Sequence, residues 1–271
     1  EAVTAARVAL EGYGARAVVV HARFDQMRQV LEAVAPDQPV AGVLFDLGVS
    51  SRQFDDAARG FSYRYDAPLD MRMDPTAGIT AAELVDELSE AELARLLAEN
   101  GESRFAGRIA RAITSQRPVT STGQLADIVK FALPAAARHH GGHPAKRVFQ
   151  ALRIAVNEEL DLLGPALDEA MSLLVPGGRG VVLAYHSGED RMVKEHFRAA
   201  ASGWCQCPPE LPCVCGAVPA VLLLNRGARL ASKAEQAANP RSASARLRAV
   251  ERLEAPFAYG RPTAGEQEED E

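Results

Sequence analysis

The most constraining feature of this sequence is a set of short, almost wholly apolar runs that each end on a polar side chain. Residues 40–46 (VAGVLFD) close on Asp46, and residues 179–186 (RGVVLAYH) close on His186. Neither run alternates polar with apolar, so a strand made of either must be covered on both faces, the condition of a parallel sheet flanked by helices. Residues 15–21 (ARAVVVH) form a third, β-branched run, and helical spacing over 24–34 separates it from the strand at 40–46, which predicts a strand, helix, strand unit. In open α/β sheets functional groups gather at the carboxyl ends of the strands. Asp46 stands at such an end, and a carboxylate closing a buried apolar strand is costly unless it is paired or faces an open edge.

Between the two runs the pattern changes. Residues 48–78 are polar, turn-rich and long for a connection inside a compact domain, which marks a functional loop. Helical spacing follows over 81–88, 90–98, 102–114 and 121–131, the signature of a small helical insertion. A long helix then runs over 146–163 on Phe149, Leu152, Val156, Leu160 and Leu163, and Gly164-Pro165 is expected to break it. Ser187 is expected to cap the helix after the strand at 179–186, with Glu189 and Asp190 in its first turn, and 218–224 and 245–250 read as an antiparallel finish to the sheet.

Charge refines this picture. Lys and Arg total 30 against 36 Asp and Glu, but Glu266, Glu268, Glu269, Asp270 and Glu271 crowd the end, so the body is more basic than the sum. Residues 103–118 hold Arg104, Arg108, Arg111 and Arg117 with no acid, and 138–153 hold Arg138, Lys146, Arg147 and Arg153 with His139, His140 and His143, again with no acid. A third stretch, 226–252, carries seven basic residues against Glu235 and Glu251. One such stretch is ordinarily a solvated face; three together point to RNA phosphate, with Arg104, Arg108, Arg111, Lys146, Arg147 and Arg153 as candidate contacts. No apolar run approaches the roughly 20 residues of a membrane helix, so no membrane partner and a cytoplasmic location are expected.

Residues 41–75 (AGVLFDLGVSSRQFDDAARGFSYRYDAPLDMRMDP), 146–160 (KRVFQALRIAVNEEL), 177–197 (GGRGVVLAYHSGEDRMVKEHF) and 239–252 (NPRSASARLRAVER) together resemble the bacterial ribosomal RNA small subunit methyltransferase H family, in family order and over nearly the whole chain. The resemblance implies an α/β fold, a class I S-adenosylmethionine-dependent methyltransferase (Rossmann-like) sheet with an inserted helical domain. It implies methylation of the exocyclic N4 of a cytidine in the decoding region of 16S ribosomal RNA, within the small ribosomal subunit, with S-adenosyl-L-methionine as cofactor. It also implies that the family's first strand, its G-G-H loop and the acid ending its second strand precede the position of Glu1, leaving part of the cofactor site in this chain. Without those strands the sheet would show an unpaired edge and an uncovered apolar face. The rival reading is a non-enzymatic small-subunit binding or assembly protein.

Carried over residue by residue, the resemblance makes Phe24, Asp46 and Gln53 cofactor contacts and places His186, Glu189, Asp190 and Arg191 beside the site. Alone, Phe24 reads as a core aromatic and Gln53 as a surface loop residue. An exocyclic amine whose lone pair is delocalised into its ring needs an acceptor aligned on its N–H. Oxygens of 46–51 and 68–75 are available, and Asp70, Arg72 and His186 are the catalytic candidates. The expected organisation is 1–78 and 145–253 as the methyltransferase domain, 79–144 as the helical insertion and 254–271 as an acidic disordered tail. Cys205, Cys207, Cys213 and Cys215 form C-x-C-x5-C-x-C, a pattern closer to metal ligands than to disulfides. The spacing is tighter than C-x2-C and the implied activity needs no metal, so no metal is expected and idle or reactive thiols are preferred to the alternative of a structural zinc.

Overall fold

The computed structural model describes residues 2–102, 104–135, 143, 145–208, 212–255 and 257. Arg138, His139, His140 and most of the acidic tail lie outside the described residues. The chain forms two compact units, one of residues 1–47 with 161–271 and one of residues 48–160.

The first unit is built on a sheet. Strands β1 (Val40–Asp46), β2 (Leu174–Ala184), β3 (Val221–Leu223), β4 (Arg229–Leu230) and β5 (Arg246–Arg252) pair in the order β1-β2-β5-β3, with β4 on β5. β1 and β2 are parallel, and β5 is antiparallel to β2, β3 and β4. The parallel pair and the antiparallel finish match the sequence reading. β2 begins earlier than expected, because Leu174 already pairs with Val40 and a register shift accommodates Pro176-Gly177-Gly178 inside the strand.

Helices α1 (Ala2–Ala9) and α2 (Met27–Val34) precede β1. The expected strand at 15–21 does not form: residues 11–16 make a tight helical turn and Ala17 onward is extended without a ladder. A strand is stabilised by its neighbour, and among the described residues β1 pairs only with β2, leaving Val18 and Val20 exposed. Of the later helices this unit holds most of α9 and all of α10 and α11, placed below; α9 and α10 supply most of its core, where Leu163, Leu167, Met171, Val193 and Phe197 pack with Phe45, Val182, Val221 and Val250.

The second unit holds α3 (Ser51–Asp55), α4 (Ala81–Glu87), α5 (Glu90–Glu99), α6 (Ala106–Thr114), α7 (Thr122–Ala132) and α8 (Lys146–Val156). Thr80 and Ser89 each close a reciprocal capping box with Glu83 and Glu92, satisfying amides that a helix start leaves bare. The helix break falls at Asn157 and Glu158, not at Gly164-Pro165. Glu158 adopts φ 51°, and α9 (Glu159–Leu173) then runs through Pro165, which sits inside the helix and gives up the bond to the carbonyl four residues back without ending it. Past β2 come α10 (Ser187–Ala201) and, between β4 and β5, α11 (Lys233–Ala238).

Candidate active site

In the sheet unit Asp46 stands in register with Leu183, so β1 and β2 end at the same edge. There the Tyr185 hydroxyl donates to Asp46 Oδ1 at 2.8 Å. Burial, reinforced by the Asp46 carboxylate, pushes the Tyr185 phenol up to about 12, so it remains a donor at neutral pH. Asp46 itself stays exposed. Sequence reasoning missed Tyr185, because an aromatic closing an apolar run reads as core.

The backbone of Tyr185 is fixed by the first turn of α10. His186 caps that helix, its Nδ1 accepting from the Gly188 and Glu189 amides at 3.2 and 3.3 Å. Because Nδ1 accepts, the proton of the neutral ring sits on Nε2, 3.1 Å from Glu189 Oε1. Glu189 Oε2 accepts in return from the amides of Tyr185 (2.7 Å) and His186 (3.2 Å). Ser187, expected as the cap, is instead the first helical residue, since the longer imidazole reaches two amides from one position further back. Asp190 lies under 10% exposed and is held by Arg248 (2.8 Å) and Arg246 (3.1 Å). Burial alone would raise its carboxyl, but the two guanidiniums outweigh it and hold it below the ordinary range. Within the H-S-x-E-D-R string His186 and Glu189 fix the first turn of α10 and the Tyr185 backbone, and Asp190 ties the helix to β5.

Phe24 is half-buried, its ring edge-on to Phe45 at 6.0 Å. A nucleoside bearing a sulfonium needs acceptors for its hydroxyls and amine and an aromatic or apolar flank. The partly open Phe24 ring is such a flank, on the same unit as the exposed Asp46 edge. A flank of that kind fits S-adenosylmethionine.

In the helical unit the candidates cluster on residues 68–74. Asp70 binds Arg72 through two side-chain contacts (2.9 and 2.8 Å) and the Arg72 amide (2.9 Å). The Arg72 guanidinium, opposed by burial, holds the Asp70 carboxyl below the usual range. Between them Met71 is fully buried at φ 63°, a backbone conformation an unbranched side chain adopts only when its surroundings dictate it. Arg59 donates to the carbonyls of Arg72 (2.7 Å) and Met73 (2.9 Å). Asn157 receives the Met73 amide at 2.6 Å and donates to the Met71 carbonyl at 2.8 Å. Gly60, at φ 72°, lies so close that a Cβ there would meet Pro68 O at 2.5 Å. Asn157 and Arg59 went unnoticed in the sequence because their partners are backbone groups. Gln53 closes a capping box with Ser50, its Oε1 taking the Ser50 amide at 2.8 Å.

Among the basic candidates Arg104, Arg108, Arg111, Lys146 and Arg147 are exposed on the helical unit, Arg111 near Glu90 (3.2 Å) and Arg147 near Glu102 (3.8 Å). Arg153 departs from the expectation: it is 13% exposed and its Nε and Nη2 are bound by buried Glu159, so it is not an exposed phosphate contact like its neighbours. Arg117 likewise turns inward to the carbonyls of Val85 and Leu88.

A model of the MraW methylase family matches residues 1–253. The chain is 48% identical over 256 residues to "Ribosomal RNA small subunit methyltransferase H" of Heliobacterium modesticaldum, covering 93% of this chain and 82% of that protein. Proteins of the same name from Symbiobacterium thermophilum and Thermobifida fusca are 51% and 52% identical, over 94% of this chain and 80% and 78% of theirs.

Proposed function

This chain belongs to the MraW methylase family, and from that premise we infer the particulars of its reaction. It is an S-adenosylmethionine-dependent methyltransferase of 16S ribosomal RNA, built on a class I methyltransferase fold. Its target is the exocyclic N4 of a cytidine in the decoding region, presented by the small ribosomal subunit in the cytoplasm. The observation that carries the chemistry is the Asp46–Tyr185 pair at the shared end of two parallel strands.

When bound, the cofactor supplies an electrophilic methyl group on a sulfonium. The protein's task is to orient the amine and take up charge as it develops on nitrogen. Asp46 accepts a hydrogen bond from the amine N–H, which raises electron density at nitrogen and fixes its lone pair in line. Tyr185 is a positioning residue: its hydroxyl holds one carboxylate oxygen and leaves the carboxylate exposed to the base. Phe24 serves the cofactor side. Asp70 and Arg72 are closed on each other, so their part is to hold 68–74 rigid, and His186 acts through the cap that sets Tyr185. The target base must be single-stranded or flipped to reach such an edge. Arg104, Arg108, Arg111, Lys146 and Arg147 take phosphates, giving affinity that falls steeply with salt.

The test is transfer of labelled methyl from S-adenosylmethionine to small subunits lacking the modification, run for residues 1–271 and for the same residues behind the family's glycine loop. N4-methylcytidine in the recovered RNA is expected. Subunit binding with no transfer by either form would return the assembly-protein reading.

A further inference from the structure

The segment between α10 and β3 is unlike the rest of the sheet unit. Its neck is closed: the Ala220 amide donates to the Ala200 carbonyl at 2.9 Å, and Gly203, at φ 61°, lies directly against the backbone of Val218. Within that neck Trp204 packs on Phe257, but beyond it Val214 and Val218 are 89% and 62% exposed, and among the described residues no helix or strand forms. A closed loop of this length is ordinarily held by side chains packed inside it. Here the groups that converge are four sulfurs.

Cys205 Sγ lies 3.4 Å from Cys213 Sγ and 3.5 Å from Cys215 Sγ, and Cys213 and Cys215 are 3.4 Å apart. With Cys207, all four sulfurs fall within 4.8 Å of one another. These separations are far beyond a disulfide bond of about 2.05 Å. A tetrahedron of thiolates about 2.3 Å from a central zinc places its sulfurs about 3.8 Å apart, within the range seen. The C-x-C spacing supports the same end, since residues two apart on extended chain point to one side and each pair forms one arm of a chelate. The Cys207 amide donates to Cys205 Sγ at 3.4 Å, a contact that steadies a thiolate carrying negative charge. Partly exposed thiols gain little from burial, so apolar packing does not account for their convergence.

We propose that Cys205, Cys207, Cys213 and Cys215 form a structural tetrathiolate site for one zinc ion, which clamps the loop between α10 and β3. Four protein ligands leave no open position, so the ion is structural and takes no part in methyl transfer. The site stands independently of the methyltransferase reading. Binding replaces four thiol protons with one Zn2+, the protons passing to solvent, and needs no oxidant.

The experiment is metal analysis of the whole chain purified under reducing, chelator-free conditions, with cobalt(II) exchanged into the metal-depleted protein. About one zinc per chain and the intense visible bands of a tetrahedral cobalt tetrathiolate are expected. Cys213→Ser with Cys215→Ser should abolish both signals and raise the rate of proteolytic cleavage within 202–220 about tenfold. If that variant fails to fold, the cobalt spectrum of the unaltered chain decides alone. Four freely titrating thiols with no metal, a pair of disulfides, or zinc retained by the variant would each overturn the proposal.

Discussion

The helical unit and the sheet unit solve the problem of burial differently. Among the described residues the helical unit gathers 23 buried apolar residues into one continuous cluster from short neighbouring helices, four of which start on a capping side chain. The sheet unit, though longer, gathers 14, and its strand β1 leaves Leu44 65% exposed. A locally closed core can carry a rigid loop and a charged surface, whereas the sheet unit keeps an open edge where Asp46 is exposed, the place proposed above for the chemistry.

Substitutions can break or sharpen this contrast. Leu93 is fully buried in the helical cluster, so Leu93→Ala should cost about 2–5 kcal/mol, read as a lowered urea midpoint. Asn157→Ala removes contacts to the Met71 carbonyl and the Met73 amide and should cost about 1–3 kcal/mol, with faster proteolysis around residue 71 as its local sign. Ser89→Ala deletes one capping oxygen and should cost about 1 kcal/mol in the same urea titrations. Leu44→Ala, the same residue type as the first change, should stay within about 0.5 kcal/mol. If Leu44→Ala proves as costly as Leu93→Ala, the contrast between the units fails.

Acid reports on one ion pair of the helical unit. The folded Asp70 carboxyl titrates below its ordinary value of 3.8 because Arg72 binds its charged form. Its stabilising effect is therefore complete above that value and is lost as pH falls through the lower, folded one. Melts across pH 7 to 3 should show the unaltered helical unit weakening only at the acid end, and Asp70→Asn should flatten that decline.

Much of this architecture was legible because it depends on periodicity. The strand at 40–46, the four helices between residues 81 and 132 and the antiparallel finish all follow from where apolar side chains recur. What stayed hidden depends on partners distant in sequence. Residues 15–21 have strand composition but no described neighbour to pair with, and a propensity without a ladder stays extended chain. Pro165 looks like a terminator, yet the turn falls at Asn157, whose side chain is engaged by the backbone of residues 71 and 73, more than eighty positions away. Arg153 and Arg117 resemble their exposed neighbours in spacing, and only a buried carboxylate or a pair of carbonyls distinguishes them. At the site Asp46 could be read from the cost of a carboxylate at a strand end, while Tyr185 could not, because an aromatic closing an apolar run looks like more core.

The central claim is that Asp46, oriented by Tyr185, positions the target amine, while the H-S-x-E-D-R string is scaffold. The most direct measurement is single-turnover methyl transfer to unmodified small subunits, comparing Asp46→Asn and Tyr185→Phe with the unaltered sequence. Asp46→Asn should slow transfer by about 10²–10³-fold with an unchanged melting temperature, and Tyr185→Phe by roughly tenfold. An Asp46→Asn protein that transfers methyl at the unaltered rate would contradict the account.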